Sequence, residues 1–69
     1  MRFKLIDNPH HFIFKPGYSL HFLDEPEMLQ EMKMIDWLED KPIRHIWYSP
    51  DIITFEQEQD RTLFVLRFS

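Results

Sequence analysis

An α+β domain, with one amphipathic helix packed across a largely antiparallel sheet, is the fold class this sequence predicts, and three observations carry it. Only residues 24–41 are long enough and periodic enough to read as a helix. The flanking segments are short β-branched and aromatic runs separated by proline, glycine and aspartate, which is strand-and-turn chemistry. The chain has 69 residues and no cysteine, so it is a single domain near the lower size limit for folding by burial alone. Together these give the order βββ-α-βββ over residues 1–69, with no linker or internal repeat.

In chain order, Arg2 to Ile6 alternate so that Phe3 and Leu5 share one face, the pattern of a half-buried strand. Asp7, Asn8 and Pro9 supply a turn. Residues 10–15 and 18–23 are expected to form a hairpin about Lys15-Pro16-Gly17-Tyr18, whose proline and glycine suit a type II turn. The helix follows. Asp24 is its expected cap, Pro26 sits where a missing N–H is harmless, Glu27 completes a capping box, and Pro42 ends it. Met28, Leu29, Met32, Ile35 and Leu38 recur at helical spacing and are expected to face the sheet. Residues 43–48 form the next strand, and 52–57 with 61–68 are expected to make a last hairpin in which Glu56 opposes Arg61 and Ile53 opposes Phe64. Such a sheet is apolar on both faces with one helix to cover it. A homodimer, or a bound partner, is the expected remedy.

Charge is segregated along the chain. Residues 1–23 carry Arg2, Lys4 and Lys15 against Asp7, for +2. Residues 24–40 carry seven carboxylates against Lys33 alone, for −6, and residues 41–69 balance. A phosphate backbone needs lysine and arginine where this helix offers carboxylates, so nucleic acid is not the expected ligand. The alternative would use Phe12, Phe14, Trp47 and Tyr48 as an aromatic sheet platform for single-stranded nucleic acid, with Lys15, Arg44 and Arg67 as its basic set.

No catalytic pattern is present. Ser19, Ser49 and Ser69 lack a supported turn beside a base, and Gly17 alone builds no phosphate loop. Asp36, Glu39 and Asp40 read as a solvated face. His10, His11, His21 and His45 are the only metal candidates, but adjacent strand histidines point to opposite faces. The expectation is therefore no enzyme, no metal and no cofactor. No apolar run approaches the ~20 residues of a membrane span, and no secretory leader is evident, so a cytoplasmic protein is expected.

Eleven aromatic residues in so small a chain exceed what its core can hide. On a helical wheel Trp37 falls opposite Met28, Met32 and Ile35, with Met34 one turn before it and Asp36 and Asp40 around it. Tryptophan and methionine are enriched at interfaces. Met34, Asp36, Trp37 and Asp40, with Trp47 and Tyr48, are thus the expected partner-binding residues. The function that follows is a small acidic protein-binding module, an inhibitor or regulator of a protein with a basic surface. Small, cysteine-free, acidic single domains of this kind occur among phage-type inhibitors of host or defence factors, and that is the expected class.

Overall fold

The computed structural model describes residues 1–6 and 11–69. The turn expected at Asp7 to Pro9, and the reading of His10 as a metal ligand, lie outside the described residues. Among the described residues, six strands and two helices follow one another as β1 (Phe3–Leu5), β2 (His11–Phe12), β3 (Lys15–Pro16), β4 (Tyr18–Phe22), α1 (Met28–Asp40), β5 (His45–Ser49), β6 (Ile52–Phe55) and α2 (Glu58–Phe68). Four strands form one antiparallel sheet in the order β1-β4-β6-β5, and β2 and β3 form a separate ribbon. The α+β class and the antiparallel sheet are as the sequence predicts.

Register follows side-chain chemistry. Phe3 pairs with Phe22, Leu20 with Ile53, Tyr18 with Phe55 and Trp47 with Ile53. One face is therefore aromatic and aliphatic throughout. Its cluster of Leu20, Phe22, Ile53 and Phe55 is closed by Met34 and Leu38 from α1, Ile43, and Phe64 and Phe68 from α2. Phe64 holds the middle of it, with ring centroids of Phe68, Phe55, Phe3, Phe22 and Trp37 between 4.9 and 5.9 Å away. A bulge at Tyr48 shifts the register of β5 on β6, from Trp47 opposite Ile53 to Ser49 opposite Ile52.

The main departure from expectation is α2: Glu58–Phe68 is helical where the sequence predicts a loop to Asp60 and a strand over 61–68, so the hairpin of 52–57 with 61–68 does not form. Thr62, Leu63, Val65 and Phe68 suit either state, and periodicity over so short a run does not separate them. Two local features favour the helix. Glu58 and Asp60 lie in its first turn and Arg67 in its last, matching the helix dipole at both ends. Phe64 and Phe68, four apart, are buried together with ring centroids 4.9 Å apart, a contact that a strand, which would set them roughly 13 Å apart along one face, forfeits. Glu56 consequently pairs with Arg44 and Lys15, and the Arg61 guanidinium lies over the Tyr18 ring at 5.5 Å.

The first hairpin is also displaced. The tight turn falls at Ile13 and Phe14, with Phe12 opposite Lys15, and β4 pairs with β1 and β6 instead. Gly17 is buried without adopting positive φ, so the expected type II turn does not form. Arg44 and Glu56 point to the sheet face away from the helices, and the ribbon reaches both: Phe12 under Arg44 at 5.5 Å, and Lys15 to Glu56 at 3.7 Å. Tyr48 also donates its hydroxyl hydrogen to the His11 carbonyl. The ribbon thus lies on the second face, where the Ser19 and Thr54 hydroxyls are buried and hydrogen-bonded at 2.7 Å. Two helices and a ribbon supply the cover that one helix lacked, so the two-sided apolar argument for a dimer no longer applies.

Candidate functional site

α1 is where charge and exposed apolar surface coincide. Its bounds match the sequence except at the start, where Glu27 is the N-cap and makes no side-chain capping bond. Asp24 is diverted to Arg2, accepting hydrogen bonds from the Arg2 backbone N–H at 2.8 Å and from Nη2 at 2.7 Å. That pair ties the first residues of the chain to the entry of the helix. Lys41 is the C-cap and Pro42 follows, as expected.

The helix is turned relative to the sequence reading. Met34 and Leu38 are buried, whereas Met28, Leu29, Met32 and Ile35 are exposed, Met28 to 78%. Apolar residues occupy almost every side of this helix, so two different faces satisfy a helical period; docking selects the one centred on Met34 and Leu38. Met34 is therefore a core residue and not an exposed interface anchor. Trp37 is half-buried, its ring edge-on to Phe64 at 5.9 Å and Phe68 at 5.8 Å, with the Lys41 ammonium 5.5 Å from its centroid. It packs against α2, and the rest of its surface is open.

The residues singled out from the sequence separate onto the two flanks of α1. On one flank, Asp36, Trp37 and Asp40 line an open groove of about 1200 Å³ shared with Leu29, Glu39 and Arg67. On the other, Met34 and Trp47 line a smaller cleft of about 400 Å³ with Phe22 and Ile35. Tyr48 belongs to neither and engages the ribbon. Sequence reasoning missed Met28, Leu29 and Met32 as surface residues, and the only signal for them was that assigning Met34 and Leu38 to the core sends them outward.

The aromatic platform does not assemble from its four residues. Phe12 is buried, Phe14 is exposed at the ribbon tip beside Ile13, and Trp47 faces the helices. Among the described residues, no group of three or more histidine, aspartate or glutamate side chains is placed to hold a metal, and no helix is long and apolar enough to cross a membrane. Asp51 accepts from the Ser49 hydroxyl through Oδ1 and contacts His21 Nε2 through Oδ2 at 2.9 Å, which places the carboxylate between the serine and the imidazole.

Among the described residues, three carboxylates are held below their ordinary pKa. A hydrogen bond from Arg2 brings Asp24 from 3.8 to about 2, one from Ser49 lowers Asp51, and one from Arg44 lowers Glu56. A carboxyl group with a folded-state pKa below its unfolded value adds stability that is complete above the unfolded value and lost as pH falls through the folded one. Thermal stability should therefore hold steady down to about pH 5 and then fall continuously toward pH ~2. In Asp24→Asn the decline should be shallower at its acid end. Parallel melting curves for the two proteins below pH ~4 would show that the Arg2–Asp24 pair contributes nothing.

No family model, curated protein or solved structure matches this chain.

Proposed function

We propose that the protein is a non-enzymatic protein-binding module that inhibits or regulates a protein with a basic surface, using α1 as the recognition element. One observation carries the reading: the most acidic stretch of the chain is also the helix that leaves Met28, Leu29 and Met32 exposed, beside a groove floored by Trp37 and edged by Asp36 and Asp40. Carboxylates at a rim steer a basic partner and set salt dependence, while apolar side chains and a desolvated tryptophan supply most of the binding energy. A target basic at its edges and apolar at its centre fits this arrangement. The absence of cysteine suits a reducing compartment, and the proposal includes a cytoplasmic site of action.

Affinity capture from the native host, followed by binding measurements on variants, tests it. Asp36→Lys with Asp40→Lys should lower the association rate about tenfold at low salt and flatten its salt dependence, with little change in dissociation. Leu29→Ala with Met32→Ala should act on the dissociation rate, by about 1–2 kcal/mol of affinity. A captured partner whose kinetics ignore all four substitutions would refute the role of α1.

A further inference from the structure

Two features outside the α1 groove fit one another. The first is the tip of the β2–β3 ribbon. Its two-residue turn places Ile13 at φ 62°, in the left-handed region where a β-branched residue is rarely found and where a hairpin of this kind ordinarily has glycine. This disfavoured conformation displays two adjacent apolar side chains, with Ile13 exposed and Phe14 at 99%. Strain that serves only to present an apolar pair to water is a sign of contact with something else.

The second feature is the cleft of about 400 Å³ between α1 and β5. Phe22, Met34, Ile35 and Trp47 line it, and Glu25 and Glu31 stand at its rim. Trp47 sits edge-on to Phe22 at 5.6 Å, which makes this wall aromatic. The cleft opens on the helix side of the sheet and the ribbon lies on the other, so the sheet separates the tip from the cleft of its own chain.

We propose that the Phe14 tip of one copy enters the α1–β5 cleft of a second copy, giving head-to-tail self-association. A phenyl ring is a suitable occupant for an aromatic-walled cleft of this volume, and edge-on aromatic contacts with Phe22 and Trp47 are available to it. Charge selects the same arrangement. Lys15 follows Phe14 directly and stays 57% exposed beside its 3.7 Å contact with Glu56, whereas the cleft rim holds Glu25 and Glu31 in the segment that carries −6. Tip to cleft brings opposite signs together; α1 against α1 would oppose two segments of −6. The contact is heterologous, so each copy keeps one free tip and one free cleft, and the assembly closes into a ring or lengthens. It does not depend on the basic target proposed above, which engages the other flank of α1.

Sedimentation velocity on the full chain, from about 10 to several hundred micromolar, tests this with two variants. Phe14→Ser removes the tip without touching the core, and Glu31→Lys with Ile35→Lys disables the cleft. The wild-type protein should exceed monomer mass as concentration rises, and each variant alone should associate about tenfold more weakly or worse. Mixing them should restore association but stop it at one copy of each, because only one intact tip and one intact cleft remain. A wild-type protein that stays monomeric across the range overturns the proposal. So does self-association indifferent to Phe14→Ser, which would point to the Met28–Met32 ridge or a sheet edge instead. A mixture that remains monomeric, with both variants shown folded by circular dichroism, overturns it equally.

Discussion

Replacing Phe64 with alanine should leave the protein mostly unfolded at room temperature. The side chain is fully buried and its ring is the shared neighbour of Phe3, Phe22, Trp37, Phe55 and Phe68, the nearest centroid at 4.9 Å. It is the point at which α2, α1 and three strands meet. A buried phenylalanine truncated to alanine costs about 3–5 kcal/mol, and lost aromatic pairs each add about 0.5–1.5 kcal/mol. A core of this size rarely supplies a net stability above about 3–5 kcal/mol. The loss therefore equals or exceeds the whole margin. Phe64→Leu, which keeps most of the volume, should remain folded with a lowered melting temperature. Urea denaturation of both variants checks this, and a midpoint for Phe64→Ala close to wild type would mean that α2 does not dock through Phe64.

Trp37→Ala should affect stability and partner binding together, for separable reasons. Its contacts with Phe64 and Phe68 lie at the margin of the core, and the residue is only half-buried. The expected destabilisation is about 2 kcal/mol, well short of that for Phe64. The remaining indole surface lines the groove with Asp36 and Asp40. Its removal should weaken partner binding by a further ~2 kcal/mol when affinity is expressed per folded molecule. Trp37→Phe divides the two effects, since a phenyl ring keeps much of the packing on α2 but loses part of the groove floor. Stability restored with affinity still reduced is the expected result for Trp37→Phe. A Trp37→Ala protein that is destabilised yet binds normally per folded molecule would confine Trp37 to the core.

These expectations bear on how the two flanks of α1 divide their work. One flank holds Trp37 among carboxylates and is proposed to meet a foreign basic protein. The other holds Ile35 and Trp47 and is proposed to receive Phe14 of a second copy. The exposed Met28–Met32 ridge runs between them. Variants on one flank should therefore leave the readout of the other unchanged, so the two proposals fail independently.

Some of this was legible in the residues. The α+β class, the end of α1 at Lys41-Pro42, the strand at Phe3–Leu5 and the strands of β5 and β6 were all set by local chemistry: a proline that cannot continue a helix, strict alternation, and β-branched runs bounded by turns. The segregation of charge onto residues 24–40 is also a property of the sequence alone. Tertiary structure decided the rest. α1 carries apolar residues nearly all round, so its amphipathic pattern admits two faces, and only docking against Leu20 and Phe22 selects Met34 and Leu38 over Met28 and Met32. Residues 61–68 satisfy a strand period and a helix period alike, and the helix prevails because it drives Phe64 and Phe68 into one core that β4 and β6 leave open. The ribbon turn at Ile13-Phe14 has no glycine, proline or asparagine to announce it, while Pro16-Gly17 announces a turn that does not form. Non-local burial outweighs local turn preference there, since the ribbon covers the buried Ser19–Thr54 pair and places Phe12 under Arg44, contacts that sequence spacing does not encode.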